Sequence, residues 1–319
     1  MHASIVEKLL ASDEPSVRWK VRTHVLGEDD DPDLREEIRR SDRVRRLLAP
    51  CGSANVYAKW QGAQWALAAL ADLGYPPGDP ALRPLRDRVL DTWLDPSFYV
   101  EFEATAKAGV YRRRGVPVMR GRYRRCASQQ GNALWFLHVL GLADDRCAAL
   151  AERLLHWQWP DGGWNCDKNP AAATSSFAET LLPMRGLAAH GETAAARRAA
   201  EVLLARRLAY RISTGDLIRP EYAKLHYPLY WHYDVLGGLK AVAGAGFIGD
   251  ARSADALDLL ESLRVADGWP AHARYYRVST EIALHNDCVD WGGTSTRRAN
   301  PWVTADALTV LRAAGRLRL

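Results

Sequence analysis

The chain has 319 residues, 48% of them apolar, and no segment approaches the ~18 uninterrupted apolar residues of a membrane-spanning helix, which argues for one large domain and against membrane insertion. Its net charge of +5 rests on 36 arginines against seven lysines, but the basic residues are not ordered along a helix and no RNA- or DNA-binding signature accompanies them, so nucleic acid is not an expected partner. The five cysteines are odd in number and lack paired spacing, and residues 1–10 are too short and too charged for a signal peptide, so reduced thiols in a cytoplasmic protein are expected.

From the N-terminus the chain repeats one unit, an amphipathic helix followed by a small-residue-rich apolar helix that ends at a glycine. The amphipathic members are predicted over 4–11, 33–48, 79–94, 144–157, 193–208 and 250–263, most of them opening on an Asp or Thr placed as an N-cap. The apolar members are predicted over 16–26, 58–73, 129–140, 176–190, 230–245 and 301–314. In the last five, an apolar i, i+3 pair recurs at an equivalent place: Leu67/Leu70, Leu134/Leu137, Met184/Leu187, Leu239/Val242 and Leu308/Leu311. Strand signals are weak throughout. Twelve helices of alternating character are what an (α/α)6 toroid requires, since an inner ring buried on nearly all sides should be less polar than an outer one. The fold expected is therefore all-α, a single toroid domain over 1–319 with units near 1–27, 33–74, 79–141, 144–190, 193–245 and 250–315. An open solenoid of HEAT type is the competing arrangement, but six pairs complete a ring with almost no chain left over.

The sequence QWPDGGWNCDKNP, residues 158–170, falls between two predicted helices. Asp161, Gly162 and Gly163 tolerate the backbone of a tight reversal, Gln158 can bond groups that a helix terminus leaves unpaired, and Trp164 offers a large packing face. The arrangement Gln158-x3-Gly162-x-Trp164 resembles the QW motif of the squalene and oxidosqualene cyclases, whose toroid is shared by protein prenyltransferase β subunits. A degraded copy stands at Ala266-Asp267-Gly268-Trp269. The strings KWQGAQWALAALADLGYPPGD and HYPLYWHYDVLGGLKAVAGAGFIGD resemble a bacterial squalene-cyclase-like family of unassigned activity. The resemblance implies the toroid and does not carry a mechanism.

Long connections, 95–128, 158–175, 212–229 and 266–300, enter the later apolar helices and would open onto one end of the ring, together with helix N-termini that favour anions. The first holds Arg112, Arg113, Arg114, Arg120, Arg122, Arg124 and Arg125, and the last holds Arg297 and Arg298. Guanidinium groups bind phosphate, sulfate or carboxylate through paired hydrogen bonds, while a solvated basic loop is the plain alternative. For proton transfer or stabilisation of a cation the candidates are Glu179, Asp234, His232 and Asp167, with Asp306 at an equivalent inner-helix position. For an aromatic lining they are Trp60, Trp65, Trp135, Trp164, Tyr230, Trp231, Tyr233 and Trp302.

No metal ligand is assigned. Zinc would draw on Cys166, Asp167, Asp287, Cys288 and Asp290, but prenyltransferases carry Asp-x-Cys whereas here Asp287 and Cys288 are adjacent, so no cofactor is expected, with zinc and magnesium the ions left open. The acidic run from Glu28 to Asp33 reads as a solvated helix cap. These residues point to an enzyme of terpenoid or other specialised metabolism that holds a small anionic substrate at the ring mouth and promotes loss of an anionic group, followed by cyclisation or group transfer. The alternatives are a ring-forming enzyme acting by internal displacement, a sugar-active (α/α)6 hydrolase or lyase using two carboxylates, and a non-catalytic module or subunit with a protein partner.

Overall fold

Every predicted apolar run contains a helix in the computed structural model, which describes residues 2–111 and 113–319 and is mostly helical. The chain opens with α1 (Ala3–Leu10) and α2 (Pro15–Lys20), which runs on as a π-helix through Val21–Leu26. The run predicted over 33–48 divides into α3 (Pro32–Arg40) and α4 (Asp42–Leu48), because Ser41 adopts extended backbone and its hydroxyl accepts from Val44 N, capping a new helix. There follow α5 (Ala63–Leu73), α6 (Arg83–Trp93), the short α7 (Lys107–Val110), α8 (Ser128–Val139) and α9 (Arg146–Trp157). The last five are α10 (Phe177–His190), α11 (Thr193–Leu204), α12 (Val235–Gly244), α13 (Ala254–Ser262) and α14 (Pro301–Ala313).

Helix starts follow side-chain caps. Ser176 accepts from Glu179 N, Asp234 from Gly237 N, and Asn300 from Trp302 N and Val303 N, with Pro301 in the first turn where its missing N–H costs nothing. Two of the apolar helices start late: the one predicted over 58–73 begins only at Ala63, and the one predicted over 230–245 only at Val235, so Asp234 caps it from outside instead of standing in its first turn.

Two of the long connections contain strands that the sequence did not signal. β1 (Glu101–Glu103) pairs parallel with β2 (Val116–Met119), and β2 pairs antiparallel with β3 (Arg122–Tyr123). Arg120 and Gly121, both with positive φ, make the two-residue turn between β2 and β3. β4 (Arg277–Val278) pairs with β5 (Asn286–Asp287) in the last connection.

The helices that bury most of their length pack in succession: α5 on α8, α8 on α10, α10 on α12, α12 on α14, and α14 on α2, which in turn meets α5. The amphipathic α6, α9, α11 and α13 each pack beside one of these. A single apolar cluster runs from Ile5 to Leu311. The closest crossing is α8 over α10. A Cβ on Gly131 would lie 2.4 Å from Pro183 Cα, and one on Gly186 would lie 2.3 Å from the Gly131 carbonyl oxygen, so two glycines let the backbones touch.

Candidate functional site

The QW segment is built as a staple. Gln158 ends α9, donates to the carbonyls of Gly162 (2.7 Å) and Ala195 (3.0 Å), and accepts from Arg198, tying the turn to α11. Trp164 is buried, its indole donating to Leu154 O (3.0 Å) and its backbone N–H to Thr180 Oγ1 (3.3 Å). Trp269 repeats both bonds, to Leu260 O (2.6 Å) and Thr304 Oγ1 (2.9 Å). The two turns are thus equivalent elements, and both are structural.

A cleft lies among the ends of α5, α8, α10, α12 and α14 and the segment 226–230. Its cavity volume is about 100 Å³. Four charges close its floor. Lys20 from α2 bonds Asp72 of α5 and Asp306 of α14 at 2.7 Å each, and Lys240 of α12 bonds Asp72 at 2.9 Å and also Asp306. The Tyr227 hydroxyl donates to Asp72 at 2.9 Å. Burial opposes ionisation of Asp72, but the two ammonium groups outweigh it and hold the carboxyl well below its ordinary range. Burial likewise opposes charge on Lys20, and attraction to Asp306 and Asp72 raises its pKa nevertheless. Within this network two cations and two anions pair, so it fixes a field.

Arg185 of α10 adds a fifth charge to the wall. Its guanidinium carbon lies 3.7 Å from the Trp135 ring centroid, and among the described residues it has no hydrogen-bond or ion-pair partner. Burial pushes its pKa down to about 10, Asp72 and Asp306 opposing through space. A cation in a cleft, stacked on one face and with its donor edge unpaired, can accept an anion through that edge.

A buried His–Asp pair stands beside it. His226 Nδ1 lies 3.2 Å from Asp234 Oδ2, which also accepts from the His226 backbone N–H at 2.8 Å. His226 Nε2 bonds no described residue, and both residues line the cleft. A carboxylate on one ring nitrogen orients the other as a proton acceptor.

Of the predicted aromatic residues, Trp65, Trp135 and Tyr230 reach the cleft. Trp60 stacks on Tyr230 at 3.9 Å and donates to Tyr275 O, Trp231 stacks on His232, Trp302 stacks on Tyr227, and Tyr233 packs against Phe177 and Tyr222; none of these four lines the cleft. Of the predicted acid–base residues Asp234 and Asp306 line it, Asp234 paired with His226 and Asp306 with Lys20 and Lys240. His232 lies flat on Tyr275, 3.3 Å between centroids, with burial pushing its pKa down to about 4, and Asp167 is exposed and caps a local turn through Asn169 N.

The loop arginines lie outside the cleft. Arg122 and Arg124 lie over Trp159, Arg124 also bonding Ala172 O at 2.9 Å, and Arg125 packs on Phe98 and Trp157. Arg297 and Arg298 are exposed, and Arg112 lies outside the described residues. The zinc set considered above is dispersed: Asp287 bonds Tyr230 and Trp291, and Cys288 accepts from Gln61. Glu179 is buried with Cys126 and Cys166 and does not line the cleft. No helix among the described residues is long and apolar enough to cross a membrane. The sequence analysis missed Lys20, Asp72, Arg185 and Lys240; Asp72 and Lys240 are each the lone charge of an apolar helix, a readable signal, whereas Lys20 stands between Arg18 and Arg22 and gives none. Neither family models nor curated protein sequences give a match to this chain.

Proposed function

We propose that the six helical pairs close into an α/α toroid and that its central cleft is the active site of an enzyme acting on a small anionic organic substrate. The ring is supported by the succession of helix contacts that returns from α14 to α2 and by the duplicated Trp–Thr staple. The observation that carries the functional reading is Arg185, a guanidinium in the cleft wall with no hydrogen-bond or ion-pair partner among the described residues.

The reaction best suited to these groups is loss of an anionic leaving group with cyclisation or transfer. The bond to the leaving group breaks, its electron pair departs with the anion onto Arg185, and the positive charge left on carbon faces Trp65, Trp135 and Tyr230, whose ring faces favour cations. A neighbouring C–H then passes its proton to His226 Nε2 while Asp234 holds the imidazole. Asp72, kept ionised by Lys20 and Lys240, and Asp306, paired with the same two ammonium groups, hold the field in place throughout.

Titration calorimetry with inorganic phosphate as the probe tests the anion site. The wild-type chain should bind it, and Arg185→Met should weaken binding by about 10- to 100-fold, the loss of one or two charge-assisted hydrogen bonds. Binding unchanged in Arg185→Met but lost on replacing Arg122 and Arg124 would move the site to the loop.

A further inference from the structure

Away from the cleft, three potential ligand atoms converge beneath the loop that the QW staple anchors. Cys126 precedes α8, Cys166 follows Trp164, and Glu179 sits in the first turn of α10. The two sulfurs and a Glu179 oxygen lie within 4.8 Å of one another, and Cys166 Sγ stands 3.3 Å from Glu179 Oε1. A tetrahedral zinc with Zn–S near 2.3 Å and Zn–O near 2.0 Å separates its ligands by about 3.8 Å for S···S and about 3.5 Å for S···O. The Cys166–Glu179 distance of 3.3 Å is of that size, and the whole set lies within 4.8 Å.

The second carboxylate oxygen is also accounted for. Glu179 Oε2 accepts from the Ser128 backbone N–H at 3.0 Å, and Glu179 N is capped by Ser176 Oγ at 3.2 Å. The side chain is therefore oriented by α8 while its other oxygen is turned toward the sulfurs, the arrangement expected of a ligating carboxylate held from behind. Arg125 and Lys168 act electrostatically on all three groups. Two thiolates and a carboxylate around a divalent ion leave one excess negative charge, which these cations offset.

We infer that Cys126, Cys166 and Glu179 form a zinc site with three protein ligands and a fourth position open to water or substrate. Loading displaces one proton from each thiol, and no electron is transferred. An open fourth position is the pattern of zinc that binds a reacting group, whereas a purely structural site is closed by four side chains. The site is separate from the cleft reading, since none of its three residues lines that cleft.

The test is elemental analysis of the full chain purified without chelator, followed by cobalt substitution. We expect about one zinc per chain, and for the cobalt form the thiolate-to-metal absorption and intense visible bands of a tetrahedral site. Cys126→Ser and Cys166→Ser should each lose most of the metal, and Cys51→Ser, at a buried thiol elsewhere, should keep it. If the serine variants do not fold, alkylation of the wild-type chain serves: Cys126 and Cys166 should be protected with zinc and become reactive after chelation. A chain that binds neither ion, one that keeps zinc equally in the serine variants, or one isolated with a Cys126–Cys166 disulfide would overturn the assignment.

Discussion

Lys20 is among the most enclosed charges in the molecule, and it was invisible as a functional candidate because a lysine in a short helix near the N-terminus looks like a surface residue. Its side chain is 4% exposed and meets two aspartates that are distant in sequence. Lys20→Met should destabilise the fold by roughly 3–5 kcal/mol in chemical denaturation, since it strands Asp72 and Asp306 on one remaining ammonium. The pH dependence follows from the directions of the shifts. Asp72 is held below its ordinary 3.8, so its contribution is complete above that value and is lost as the pH falls further; Lys20 is raised above 10.5, so its contribution persists up to that value and is lost beyond it. Wild-type stability from this network should be flat between, and acid unfolding of Lys20→Met should begin at higher pH.

At the scale of elements, propensity and capping made most helices readable. The acidic and threonine starts, the Pro301 entry and the terminal glycines act locally, so they are visible in one sequence. The break at Ser41 is a local cap that the run of charges around it masks, whereas the late start of α12 and the small sheets lie within long connections that carry no local signal for them. The contact between α8 and α10 shows how an element sets the site. Gly131 lies one turn from Trp135, and Gly186 is the neighbour of Arg185, so the same backbone approach that needs two glycines brings the guanidinium over the indole. Gly131→Val should therefore force the helices apart, lowering stability by about 3 kcal/mol or more and abolishing phosphate binding together. A variant that kept full stability would show the crossing to be looser than described. At the staples, Gly163→Ala should be costly as well, because its Cβ would come 2.4 Å from Thr180 Oγ1.

For the whole molecule, the two ends of the chain meet: His2 N–H donates to Arg318 O at 3.0 Å, and the Trp302 indole donates to Ser16 Oγ at 3.4 Å. Repeat counting and cap signals made the helix-rich fold legible, and the sequence analysis set its candidate anion-binding residues in the arginine-rich connection. Guanidinium count per loop is a one-dimensional quantity, whereas the cleft is assembled from single charges contributed by helices dispersed along the chain. Arg185, with one aromatic neighbour and no hydrogen-bond or ion-pair partner among the described residues, is more informative than the seven arginines of the loop at 95–128. The most direct measurement is a crystal of the full chain soaked in selenate and its anomalous difference map. The account predicts the strongest selenium peak within about 4 Å of the Arg185 guanidinium, between Trp135 and Lys240. A peak among Arg122, Arg124 and Arg125 with no density in the cleft would contradict it.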